Sequence, residues 1–294
     1  MPVPAALHTY SFSFILAAMG SYIKRQIALP QDHGSWVFIL SPLLIGFFAG
    51  GFFNYASFNL LIAAMSAFLI RQPLTVAVKA LSGRRSAADL PAAWFWVLVY
   101  GVISALALVG LILEGFGFVL YLAAPGIPVF AWHLWLVRKR AERRQAGIEV
   151  IATGVLALSA PAAYWVARGG YDPAGWWLWL FCWLQSAASI VYAYLRLNQR
   201  DVSPEQAQGQ GRSDWLRLGR RALLYTSFNL GLSTFLGWAD IVPSYIFIPF
   251  LIQWFETLWG IFNPAVGWKP TRIGVRQLIV SIIWTVFFII SWSA

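Results

Sequence analysis

Residues 91–113 read PAAWFWVLVYGVISALALVGLIL, 23 residues without one charged side chain. At 1.5 Å per residue a helix of this length covers a hydrocarbon core of about 30 Å. A strand of a membrane barrel would instead alternate apolar and polar residues over about ten positions, and no such alternation runs through the stretch. The segment reads as a membrane-spanning helix, and it decides the fold class because the rest of the chain repeats its character.

Outward from it, apolar runs recur at 33–53, 54–78, 117–137, 148–166, 175–195, 221–238, 241–262 and 277–293, so the sequence predicts an all-α polytopic membrane protein with about nine spans. The composition agrees: 60% of the 294 residues are hydrophobic and 11% are charged, too few charges to cover a water-soluble domain. The single cysteine, Cys182, falls inside a span, which excludes a disulfide framework and a cysteine–metal site. Many of the 17 tryptophans, Trp94, Trp96, Trp176, Trp177, Trp179 and Trp292 among them, lie near span ends as interfacial belts do.

The net charge of +10 would suggest nucleic acid in a soluble protein. In a membrane chain it is the position of each charge that counts, and no nucleic-acid partner is expected. Counting loops from an N-terminus inside, Lys24, Arg25, Arg71, Lys79, Arg84, Arg85, the run 138–144, the stretch 196–221 and the stretch 269–276 all fall on the cytoplasmic side. Of 21 lysines and arginines, Arg168 alone falls outside. The expected topology is therefore N-in, C-out, which also requires an odd number of spans.

Residues 1–28 read as an N-terminal extension, interfacial or flexible, and 29–294 as one transmembrane domain. Within the extension, 9–23 form a short apolar run with Lys24 and Arg25 behind it, the wrong order for a secretory signal. An interfacial segment and a tenth span both remain open. The longest polar connection, 196–220 (RLNQRDVSPEQAQGQGRSDWLRLGR), is read as a cytoplasmic loop in which Ser203-Pro204-Glu205 has the order of a helix N-cap, first-turn proline and first-turn acid. Residues 33–73 and 149–200 share a loose plan of polar start, Gly-Gly turn and arginine-terminated return, the pattern of a weak internal repeat.

Polar groups inside spans are costly and point to function. Gln185, Ser189, Tyr192 and Arg196 recur at steps of four, three and four, on one face of one helix. Arg221, Tyr225 and Asn229 make a second stripe; Gln253, Glu256, Gly260 and Asn263 make a third. All lead toward the cytoplasmic side. Arg272 and Arg276 sit at helical spacing before the last span, within reach of a phosphate or of Glu256. Arg71, in LIRQPL, adjoins a proline expected to disturb the helix by removing a donor. Against a ligand role, each arginine has the alternative of snorkelling to anionic headgroups, and Glu256 that of a structural ion pair. His33, in LPQDHGSWVFILSP (29–42), is either a working group at the mouth of a cavity or the polar collar of the first span. His133 reads as interfacial, and three histidines without a paired spacing give little basis for a metal site.

PQDHGSW before a proline-interrupted span, then LIRQP, YLRL and KPTRIGVRQLIVS, resemble the YwiC-like bacterial membrane proteins over about 29–292. That resemblance implies a multi-pass protein of the cell's inner membrane and carries no biochemical activity. More distantly, Gly147-Ile148-Glu149, Ala167-Arg168-Gly169-Gly170 and Asn198-x-Arg200-Asp201-x-x-x-Glu205 look similar to UbiA-type intramembrane prenyltransferases. Such a resemblance implies a UbiA-like bundle in which Asp201 and Glu205 hold Mg2+ for a prenyl diphosphate. The family's second aspartate-rich motif has no counterpart here, since FLIRQPLTVAVKALSGRR contains no acid.

Three functions follow as alternatives. One is a cytoplasm-facing polar pocket that binds or transfers an isoprenoid or another anionic-headed lipid. Arg71, Tyr192, Arg196, Tyr225, Asn229, Gln253, Arg272 and Arg276 would then line it, with His33 or Glu256 as acid–base groups. The second is a non-catalytic subunit or assembly factor with membrane-protein partners, and the third a transporter of small anions or metabolites.

Overall fold

The computed structural model describes residues 22–30, 33–141 and 145–294, with His33 and Gly34 given by their backbone alone. Asp32 and most of the 9–23 run lie outside the described residues. Among those described, ten helices of ten or more residues carry the fold: α1 (Val37–Gly50), α2 (Tyr55–Leu81), α3 (Leu90–Leu113), α4 (Gly126–Lys139), α5 (Ala146–Ala157), α6 (Ser159–Arg168), α7 (Ala174–Arg200), α8 (Arg212–Trp238), α9 (Phe247–Phe262) and α10 (Pro270–Ser293). Seven stretches are long and apolar enough to cross a membrane: Tyr55–Leu81, Ala87–Leu113, Gly117–Lys139, Ala146–Arg168, Ala174–Arg200, Ser244–Phe262 and Pro270–Ser293. This is the architecture of a multi-pass membrane protein. The other two expected spans fall on α1, apolar but only 14 residues long, and on α8, which mixes Arg221, Thr226, Asn229 and Ser233 into its apolar length.

Local chemistry explains where the helices begin and end. Asn54 accepts from the Ser57 amide at 2.8 Å in a capping box that starts α2. Its side-chain nitrogen reaches the Val166 carbonyl at 3.1 Å, tying that start to α6. Gly51 and Gly169 stop α1 and α6 in the left-handed conformation that glycine adopts without penalty. The expected loop 196–220 is mostly helical: α7 runs on to Arg200, a short helix Pro204–Gly209 starts at a Ser203 capping box, and α8 begins at Arg212. Arginine, glutamine and leucine are good helix formers, so polarity alone did not make this segment a loop. The expected disturbance at Pro73 is likewise absent, as α2 continues through it. Two residues on, the Thr75 hydroxyl donates across the proline to the Arg71 carbonyl at 2.8 Å, the kind of side-chain bond that steadies a membrane helix around a proline.

The break comes instead at Leu158, between α5 and α6. Pro161 has no N–H to offer the Ala157 carbonyl, and the Leu158 amide bonds the Val155 carbonyl at 3.1 Å, three residues back. Two indoles of α7 donate to α5 just before the break: Trp179 to the Gly154 carbonyl at 2.9 Å and Trp183 to the Val150 carbonyl at 2.8 Å.

α1 lies at the centre, packed on α6, α7 and α10. Gly46 and Gly50, four residues apart, face Ala160, Ala163 and Ala167 of α6. A methyl group on Gly46 would come within 2.6 Å of the Ala163 Cβ, and one on Gly50 within 2.5 Å of the Ala167 Cβ. Small residues on both helices let the backbones approach, which in lipid replaces the hydrophobic drive to associate. Ser41 and Thr285 join α1 to α10 through their hydroxyls. Where α7, α9 and α10 meet, Phe181, Phe250, Trp284 and Phe288 form an aromatic block with ring centroids 4.9 to 6.0 Å apart. α3 lies at the rim, its Leu98, Val102, Leu106, Val109 and Leu113 exposed.

Gly46→Leu is expected to lower stability by more than about 3 kcal/mol or to prevent folding, because the added atoms meet backbone and cannot be absorbed by a rotamer change. Gly231→Ala on α8, where a Cβ meets nothing within 4 Å, is expected to match or slightly exceed the parent stability. Thermal unfolding in detergent compares the two.

Candidate functional site

The polar stripe of α7 does not open outward; it meets the stripe of α9. Gln185, Ser189, Tyr192, Arg196 and Gln199 are buried, as is Gln253 opposite them. The Gln253 amide nitrogen donates to the Gln185 carbonyl and to the Ser189 hydroxyl, both at 3.1 Å. The Gln185 amide donates to Ser189 at 3.0 Å and to Ser281 of α10 at 3.5 Å. In a bilayer no water is at hand to satisfy such groups, so three helices must satisfy one another.

One turn along, Glu256 is held from two helices. Arg276 of α10 donates from Nε to Oε1 at 2.6 Å and from Nη2 to Oε2 at 2.7 Å, a bidentate pair. The Tyr192 hydroxyl donates to Oε1 at 2.9 Å, and the Arg276 guanidinium lies 3.7 Å from the centre of the Trp259 ring. Gly260 is required here, since a Cβ on it would sit 2.7 Å from Tyr192 Cε2.

Arg196, 1% exposed, is anchored through Nη1 to the Gly260 carbonyl at 2.6 Å, the Asn263 carbonyl at 2.8 Å and the Gln199 side chain at 2.9 Å. Those carbonyls end α9, the negative pole of its dipole. The Trp268, Trp259 and Tyr192 rings lie 4.9, 5.6 and 5.9 Å from the guanidinium carbon, the distances of cation–π contact. Arg196 is thus seated in the interior on a helix end, with Nη1 taken up by carbonyls and Nη2 buried without a hydrogen-bond partner.

On the adjoining face of α7, with Ser189 shared between the two, the bundle leaves a cavity of about 330 Å³ between α1, α5, α7 and α10. Its wall is mainly aliphatic and aromatic, with Val37 and Phe38 from α1, Ile190 and Leu197 from α7, and Ile273 and Leu278 from α10. The polar groups are Ser189, Ser281, Gln277 and the pair Glu149–Tyr194, in which the tyrosine hydroxyl donates at 2.9 Å. The volume is in the range of small-molecule sites.

The remaining candidates are scattered. Arg272 stacks on Trp268 at 3.9 Å. Arg71 lies 5.0 Å from the Phe68 ring, which meets Trp36 edge-on at 5.5 Å. Asn229 is buried and donates to the Leu184 carbonyl at 2.9 Å, while Tyr225, one turn away, is exposed. His33 opens the helical turn His33–Trp36 that runs into the cavity-lining Val37; its side chain lies outside the described residues. Asp201 accepts twice from Arg200, at 2.7 and 3.0 Å, and Glu205 accepts from the Ser203 hydroxyl at 3.1 Å. Among the described residues no three His, Cys, Asp or Glu side chains gather where they could hold a metal ion. Two carboxylates engaged in this way on an exposed turn do not fit a pair of magnesium ions on a diphosphate.

Residues 29–164 match the family model described as YwiC-like protein. No curated protein and no solved structure matches the chain. The YwiC-like stretch runs from the turn before α1 to the middle of α6, so it contains the Gly46/Gly50 contact and the α1 and α5 walls of the cavity. YLRL and KPTRIGVRQLIVS lie beyond it. Of the cavity's polar groups the sequence stripes contained only Ser189; Gln277 and Ser281, four apart on the last span, were a signal of the same kind that the preceding arginines overshadowed.

Glu256→Gln leaves Arg276 without a counter-charge and is expected to cost about 1–3 kcal/mol, reduced from the cost of a fully buried pair because Arg276 is 35% exposed. The double variant Glu256→Gln/Arg276→Gln is expected to be more stable than the sum of the single losses predicts. Unfolding midpoints of the four proteins give the coupling.

Proposed function

We propose that this is a nine-span protein of the inner membrane, with its N-terminus in the cytoplasm and its C-terminus outside. In this reading it holds the apolar chain of an isoprenoid or a similar lipid in the cavity between α1, α5, α7 and α10. The observation that carries the reading is the cavity's make-up: an aliphatic and aromatic wall with a few polar groups. Sites for chain-like apolar molecules have this composition, the polar groups fixing orientation. The distribution of lysine and arginine supports this topology, in which the cavity would lie at the cytoplasmic end with Glu149, Tyr194 and Pro270 near the basic helix ends. Binding is the function read from the site. UbiA-like transfer would require a metal-held diphosphate, and Asp201 and Glu205 do not supply one.

Cys182 is buried, so introduced cysteines report topology without interference. Gly209→Cys is expected to react with a membrane-impermeant maleimide only in inside-out vesicles, and Tyr171→Cys only in intact cells or spheroplasts; the reverse pattern would overturn the orientation.

For the cavity, Gly274→Leu adds a bulky side chain to a lining residue at which a Cβ meets nothing within 4 Å. Lipid extracted from the purified parent protein should include a species at about one per chain, as expected for one binding site, and the variant should lose it while still unfolding cooperatively. Equal retention in both proteins would sink the reading.

A further inference from the structure

The head group that this cavity accepts can be read from the charges around it. Three arginines lie on neighbouring turns of the same helices, and each is turned to another partner: Arg196 to the carbonyls that end α9, Arg276 to Glu256, and Arg272 to the face of Trp268. Among the described residues no lysine or arginine lines the cavity, and the one full charge on its wall is the carboxylate of Glu149.

The uncharged groups are hydrogen-bond donors with hydrogens to spare. Ser189 accepts from both Gln185 and Gln253, so its own hydroxyl hydrogen is not used in those bonds. Ser281 likewise only accepts, from Gln185. Gln277 adds a carboxamide to the wall, and the second oxygen of Glu149 remains an acceptor beside the Tyr194 bond. A phosphate placed here would meet no lysine or arginine among the described wall residues and would face the carboxylate of the exposed Glu149. A hydroxyl both gives and takes one hydrogen bond, and the wall offers uncharged donors at Ser189 and Ser281 as well as acceptors at Gln277 and Glu149.

We infer that the cavity selects a neutral lipid with a hydroxyl head, an alcohol or phenol on an apolar chain, over the phosphorylated form of the same chain. The inference rests on the cavity reading above and deepens it. It reverses the expectation of an anionic head, which the arginines suggested while their partners were unknown.

Three probes of one chain length test it: a twenty-carbon prenyl alcohol, its monophosphate and the matching hydrocarbon. Each competes against a fluorescent prenyl alcohol on the full chain in nanodiscs, with correction for its partition into empty nanodiscs. The alcohol is expected to bind about tenfold more tightly than either of the others, one good hydrogen-bonding site's worth of discrimination. Ser281→Ala with Gln277→Leu should bring the alcohol down to the hydrocarbon, and Glu149→Gln should raise the monophosphate several-fold. Equal binding of all three probes, abolished by Gly274→Leu, overturns the head-group assignment and leaves the cavity reading in place. A monophosphate that binds most tightly overturns the assignment outright. No binding by any probe, or binding that Gly274→Leu leaves untouched, overturns the cavity reading itself.

Discussion

The close approach of α1 to α6 sets the geometry of everything around it. Gly46 and Gly50 let the two backbones meet over Ala160, Ala163 and Ala167, and no larger residue fits at either glycine. The contact is confined to one end of α1. At the other end the partner is α5, which the break at Leu158 and Pro161 separates from α6. Tight packing on one side of that break and a cavity wall at Val37, Phe38 and Glu149 on the other are consequences of one arrangement.

The second constraint is the absence of water. The stripe on α7 puts two amides, two hydroxyls and a guanidinium where the bilayer offers no partner, and unsatisfied groups there cost several kcal/mol each. The bundle answers by turning two stripes toward each other and placing Gly260 where Tyr192 must lie. Arg196 and Arg276 together bring two positive charges against one carboxylate. The excess is spread over the carbonyl ends of α9 and over three aromatic rings, contacts individually modest and together suited to a cation that cannot leave.

Much of the helical plan was legible in the sequence, because length and hydropathy are local properties. Seven of the expected spans fall on helical stretches long and apolar enough to cross a membrane, and the Ser203 start is where the Ser-Pro-Glu order put it. Helical spacing also grouped Gln185, Ser189, Tyr192 and Arg196 on one face. Spacing gives the face of a helix and not its partner, so a stripe that faces another stripe looked the same as one that lines an opening. Gly46 went unread beside the conspicuous Gly50-Gly51 turn, although its four-residue separation from Gly50 was visible. The cavity was illegible for a different reason: it is a gap between four helices, and no single segment encodes a gap.

The fate of the arginines follows from the same distinction. In sequence, Arg196, Arg272 and Arg276 are three cations near the ends of spans, and a phosphate is the simplest partner for such a set. In the fold, a partner is preferred when it is already fixed in place, because ordering it costs nothing further. Glu256 and the carbonyls at the end of α9 are fixed by helix packing, and the Trp268 ring is presented by the turn between α9 and α10. A mobile phosphate would have to displace them, leaving a carboxylate or a helix end uncompensated in a medium of low dielectric. The arginines thus serve the join between α7, α9 and α10. That join holds one face of α7, Ser189 included, against α9, and Tyr194 and Leu197 lie on the adjoining face that lines the cavity.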